Sequence, residues 1–139
     1  MCILCSENNR QPLIRKLTIC KNVSIIPVNL KNLEELYCDN NTLITSIPKE
    51  LGKLKVLECN NTNITSIPPE LLFLQTLWCG NTNIEFIPTE LIRLQVLFCN
   101  GSKIKKIPDT FINLKSIWCL NTEIKSIPKE LVNLKHVEI

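Results

Sequence analysis

The stretch Leu74-Gln75-Thr76-Leu77-Trp78-Cys79-Gly80-Asn81-Thr82-Asn83-Ile84-Glu85-Phe86-Ile87-Pro88-Thr89-Glu90-Leu91-Ile92-Arg93 decides the fold. It is one copy of a unit that recurs along the chain. The dipeptide Ile-Pro returns with Pro27, Pro48, Pro68, Pro88, Pro108 and Pro128, first after 21 residues and then every 20. Cysteines keep the same step at Cys38, Cys59, Cys79, Cys99 and Cys119, and so do Leu36, Leu57, Leu77, Leu97, Ile117 and Val137. Three rows moving in phase define an internal repeat, which outranks every other fold signal.

Each unit reads L-x-x-L-x-C-x-N-T-x-I-x-x-I-P-x-E-L-x-x. Its opening alternates apolar and variable residues, the period of a half-buried strand. Leu77 and Cys79 therefore face one way, Thr76 and Trp78 the other. Pro followed two places later by Glu suits the first turn of a short helical or 3₁₀ segment, since Pro has no N–H to satisfy there and Glu favours the positive end of the dipole. Leu51, Leu71, Leu91, Phe111 and Leu131 then return to the core. One unit cannot bury its apolar face alone, but stacked units share a continuous core.

The unit resembles the leucine-rich repeat family, whose frame is L-x-x-L-x-L-x-x-N/C-x-L. The resemblance spans residues 14–139, leaving 1–13 as an N-terminal cap segment. It implies an α/β solenoid with a parallel concave β-sheet and short helical or 3₁₀ segments on the convex side. The resemblance is highly specific for fold and barely specific for function. Two departures stand out. Cys replaces the usual Leu at the sixth position, and Thr62, Thr82, Ser102 or Thr122 stands at the ninth, where the family has Asn or Cys. Asn61, Asn81 and Asn121 come one place early, and Asn100 two. The family's Asn ladder, which bonds backbone groups of the neighbouring turn, is thus not carried over directly, although a hydroxyl can both donate and accept. The early repeats are irregular as well. One extra residue falls within residues 39–44, and Ile14-x-x-Leu17-x-Ile19 reads as a shortened first strand.

The 139 residues make one domain. A 45% hydrophobic and 21% charged composition is that of a globular chain. Its short apolar runs are far below the ~20 residues of a membrane helix, so no membrane partner is expected. The apolar start breaks off at Cys5, which argues against an export signal and for a cytoplasmic, reducing setting.

Eight cysteines raise a disulfide or zinc scaffold. Five of them share the inward position, where free Cys packs as a small hydrophobe. Cys2 and Cys5 form a separate C-x-x-C that lacks two well-spaced further ligands, so no metal or other cofactor is assigned. The lone His136 and three scattered glycines supply neither a positioned base nor a phosphate loop, and the reading is non-enzymatic.

The outward strand positions carry the functional signal. One row reads Thr18, Tyr37, Glu58, Trp78, Phe98, Trp118, Glu138, and the row two places earlier reads Lys16, Glu35, Val56, Thr76, Val96, Ser116, His136. In register, Trp78, Phe98 and Trp118 stand side by side, with Val56 and Val96 extending the apolar area. Exposed apolar patches mark interaction sites, and Trp and Tyr dominate binding hot spots. Mutual stacking alone, or a slip of register that buries the row, are the plainer readings. The expected partner-binding residues are Tyr37, Val56, Glu58, Trp78, Val96, Phe98, Ser116 and Trp118. Lys103, Lys105, Lys106 and Lys125 form a basic cluster in the turns, read as a solvated face because a net charge of +3 is too mild for nucleic acid. The last residues, 134–139, stop partway through a unit, which leaves a fragment, a homodimer or scaffold joined at that edge, or a tolerated end as alternatives.

Overall fold

A computed structural model describes residues 14–139; the cap segment 1–13, including Cys2 and Cys5, lies outside the described residues. Seven three-residue strands follow one another: β1 (Lys16–Thr18), β2 (Glu35–Tyr37), β3 (Val56–Glu58), β4 (Thr76–Trp78), β5 (Val96–Phe98), β6 (Ser116–Trp118) and β7 (His136–Glu138). They form one parallel sheet in chain order. Such short strands are held only because each is paired with the next coil. The ladder continues past the strand ends, where Cys59 N–H donates to Trp78 O at 2.8 Å and Cys79 N–H to Phe98 O at 2.8 Å. β1 is as long as the others, so the expected shortening of the first strand does not occur.

The middle residue of every strand from Leu17 to Ile117 is buried, together with Cys38, Cys59, Cys79, Cys99 and Cys119. Ile64, Ile84 and Ile104 fill the far side of the coil, and Leu51, Leu71, Leu91, Phe111 and Leu131 close it. Together they form one continuous cluster.

The convex side differs from expectation. No helix or 3₁₀ segment forms there among the described residues. Leu71 N–H donates to Pro68 O at 3.3 Å, and Leu74 N–H to Leu71 O at 3.0 Å. These bonds step by three residues as two successive tight turns, whereas a helix needs them from consecutive residues. The helix-dipole role of the Glu50, Glu70, Glu90 and Glu130 row falls with the helix.

The eighth position controls the turn after each strand. Asn40, Asn61, Asn81 and Asn121 have φ between 52° and 58°, and Gly101 has φ 69°. The left-handed region is open to Gly and tolerated by Asn, and is costly for most side chains. This explains why Asn precedes Thr in most repeats and why the fifth repeat has Gly in its place. Aligning the repeats on this residue puts Asn41 at the ninth position and the extra residue directly after it. Asn41 is fully buried. Its Nδ2 donates to Cys20 O at 3.0 Å and Val23 O at 2.8 Å in the preceding coil, while its Oδ1 accepts from Leu43 N–H at 2.9 Å. In the next two repeats the hydroxyl reaches only its own turn: Thr62 Oγ1 and Thr82 Oγ1 donate to Cys59 O and Cys79 O, each at 2.7 Å.

Leu97→Ala should cost about 2–5 kcal/mol in a denaturant melt, because a fully buried side chain is removed from a packed coil. Asn81→Ala should cost about 1–2 kcal/mol and Asn81→Gly much less, since only the first puts an unsuited side chain at positive φ. Equal losses for Asn81→Ala and Asn81→Gly would show that backbone strain is not what selects the eighth residue.

Candidate functional site on the concave sheet

Register brings the outward rows together. Glu58 pairs with Trp78, Trp78 with Phe98, Phe98 with Trp118, and Trp118 with Glu138. The Trp78 and Phe98 rings stack with centroids 5.1 Å apart at 20°, and Phe98 meets Trp118 at 6.5 Å and 40°. Trp78 stays 37% exposed, while Phe98 and Trp118 are half-buried. No slip of register buries the row; the rings stack on one another and still present a surface.

Gly80 makes that surface possible. A Cβ at residue 80 would lie 2.7 Å from Phe98 Cε1 and 3.1 Å from Asn100 O. The Phe98 ring therefore leans over a position that only hydrogen can occupy without displacement. Val56, Val96 and Ser116 are half-buried in the row beside the rings, in line with Thr76.

Tyr37 is set apart from the three rings, because Glu58 stands between it and Trp78. Its hydroxyl donates to Glu35 Oε2 at 2.7 Å, and Lys16 Nζ lies 4.6 Å from its ring centre. Lys16 also pairs with Glu35 at 3.0 Å. The hydrogen bond from Tyr37, then that from Lys16, holds the Glu35 carboxyl below its usual range. Glu34 is likewise lowered, chiefly by its bond from Lys55 at 2.6 Å. Glu58 goes the opposite way: burial raises its carboxyl first, and neighbouring Asp39 adds to that through its charge and a hydrogen bond.

The turn lysines sit away from the rings, and Lys105 pairs with Glu85 at 3.2 Å. A second apolar row escapes a reading centred on the strands. Leu72, Ile92, Ile112 and Val132 are exposed at the position after the closing Leu or Phe. Its signal is present in the sequence as a further apolar column, hidden beside the buried column next to it.

The cysteine column is a stack of free thiols. Burial pushes Cys38 and Cys79 up to about 12 and Cys59 well above its ordinary value. Cys99 is raised first by its hydrogen bond with Cys119 and then by burial. Protonated thiols of this kind are poor nucleophiles. Among the described residues no group of three or more His, Cys, Asp or Glu could hold a metal ion.

The family model described as Leucine Rich Repeat matches residues 32–54. In structure the chain is similar to a functional domain of InlJ from Listeria monocytogenes that includes a cysteine ladder. The TM-score is 0.73 at 22% identity, over 88% of this chain and 26% of that one. It is similar also to the plant peptide hormone receptor RGFR1 in complex with RGF2, with a TM-score of 0.67 at 26% identity over 89% of this chain and 22% of that one. An internalin, InlF, from Listeria monocytogenes gives 0.67 at 22% identity over 89% of this chain and 38% of that one. The chain thus spans about a quarter of the length of the first two. No curated protein matches it.

The raised thiols of Cys38, Cys59 and Cys79 make stability fall in alkali. Cys79 has a folded value of about 12 against 9.0 for an ordinary thiol. Its contribution is complete below pH 9.0 and is lost as pH climbs toward 12, because the unfolded chain releases the proton first. A melting temperature measured from pH 8 to 11 should fall, and the fall should be shallower in a Cys59→Ala/Cys79→Ala double variant. Parallel curves for the two proteins would remove the thiols from the account.

Proposed function

We propose that this chain, a leucine-rich repeat protein, is a non-catalytic interaction module that receives a protein partner on its concave face. The fold commonly serves protein–protein interaction, and the plant peptide hormone receptor it resembles is described in complex with RGF2. The observation that carries the reading is the stacked Trp78–Phe98–Trp118 row on the open side of the sheet.

The physical argument is preorganisation. Aromatic side chains offer large contact area with few rotatable bonds, and stacking has already fixed them. A partner that covers them gains apolar burial without ordering the rings itself. Val56 and Val96 widen the apolar floor, and Ser116 and Thr76 leave room beside it. The reading includes a reducing, cytoplasmic setting, in keeping with the unbridged thiols of Cys38, Cys59, Cys79, Cys99 and Cys119.

The test compares proteins retained from a cell lysate by the chain and by a Trp78→Ala/Trp118→Ala variant. Each truncation should weaken a genuine partner by about 2 kcal/mol, roughly 30-fold, so the double variant should retain none. Its melting temperature should change little, because both rings lie on the open face rather than in the core. Retention of the same proteins by both chains would place the binding surface elsewhere.

A further inference from the structure

The concave carboxylates divide into two kinds. Glu34 and Glu35 are matched, the first by Arg15 and Lys55 and the second by Lys16. Asp39, Glu58 and Glu138 have no Lys, Arg or His within ion-pair distance among the described residues. These three are not scattered. Glu58 borders Trp78 on one side of the aromatic row, and Glu138 borders Trp118 on the other. Asp39 stands beside Glu58 and reinforces that end. The protein as a whole carries a net charge of +3, so this acidic framing is local and does not follow from its composition.

Resting on the concave-face reading above, we infer that the row binds an extended peptide segment with an apolar centre and a basic residue at each end. Such a segment crosses the strands from β3 to β7, its apolar side chains on Trp78, Phe98 and Trp118. Its cationic ends meet Glu58 with Asp39, and Glu138. The dimensions set a ruler. Strands lie ~4.8 Å apart, which separates the two glutamates by about 19 Å, and an extended chain covers that in about six residues. The Trp78 face next to Glu58 adds attraction for a cation, since an ammonium or guanidinium over an indole is favourable. A carboxyl pair like Asp39 and Glu58 repels itself when both are ionised, and a visiting cation relieves that repulsion. An acidic or uncharged segment lacks both gains.

The experiment pans a random twelve-residue peptide display library on the immobilised full chain. One synthetic peptide from the enriched set is then titrated against the chain and its variants by fluorescence anisotropy. Enriched sequences should carry Arg or Lys at both ends of an apolar stretch, with the basic residues about five or six positions apart. Glu58→Gln and Glu138→Gln should each weaken the peptide by about fivefold and flatten its salt dependence. Both substitutions lie on the exposed face, and an unchanged melt confirms the fold. Enriched peptides without basic ends, bound equally by both Gln variants but lost with Trp78→Ala/Trp118→Ala, would overturn the charge inference and leave the concave-face reading standing. Peptides bound equally by the Trp variant would overturn both. A library that yields no enrichment also counts against the inference.

Discussion

Three-residue strands have no stability of their own, so the whole protein depends on the hydrogen bonds that run from each coil to the next. Cys59 N–H reaches Trp78 O, Cys79 N–H reaches Phe98 O, and Cys99 N–H reaches Trp118 O, each at 2.8 Å. This ladder fixes the strand spacing and the register together. Everything else is obliged to repeat at the same step. A residue type that suits one coil finds its equivalent directly above and below. That is why the buried positions form columns of Leu, Ile and Cys, and why the hydroxyls of Thr62, Thr82 and Thr122 each donate to the Cys carbonyl three residues back.

Most of the architecture could be read from the chain because two periods act together. Alternation within L-x-x-L-x-C gives the inward and outward faces, and the 20-residue step aligns the faces of successive strands. Leu77 and Cys79 inside, Trp78 outside and Phe98 beside it all follow from those two numbers. What could not be read lies where one residue type answers two different needs. Ile-Pro-x-Glu-Leu fits a helix start and a tight turn equally well, and only the bonds from Leu71 to Pro68 and from Leu74 to Leu71 decide. Asn at the eighth position serves two needs as well: it holds a positive φ, and it bonds from coil to coil, Asn61 Nδ2 donating to Asn40 Oδ1 at 3.1 Å and Asn81 Nδ2 to Asn61 Oδ1 at 2.9 Å. Spacing alone places neither the extra residue after Asn41 nor the bonds from the buried Asn41 side chain to Cys20 O and Val23 O of the preceding coil.

The candidate site was legible to the same depth. Alignment put Trp78, Phe98 and Trp118 in a row, but neither the stacking angle nor the separation of Tyr37 follows from spacing. The carboxylates show the limit best. Glu34, Glu35, Glu58 and Glu138 are equivalent as letters on strands or beside them. Their neighbours across the sheet make them different. Lys16 and Lys55 occupy the coils next to Glu35 and Glu34, whereas Asp39 is what stands next to Glu58.

A solenoid of this kind separates stability from recognition by position. The inward columns are nearly invariant from coil to coil, since any change disturbs two neighbours at once. The outward rows are free to vary, because a side chain on the open sheet meets solvent and two adjacent outward residues. Variation there is therefore where specificity can be stored. Gly80 illustrates the coupling between the two. Its position lies in the turn that follows β4, where other coils have Cys20, Asp39, Asn60, Asn100 or Leu120. Asp39, Asn60 and Asn100 each accept a backbone N–H from the next coil through the side chain, at 2.7 to 2.8 Å. Gly80 forgoes that bond, and the space it leaves is taken by the Phe98 ring. Leu120 likewise has no side-chain acceptor to offer, so what is particular to Gly80 is the room it leaves for the Phe98 ring.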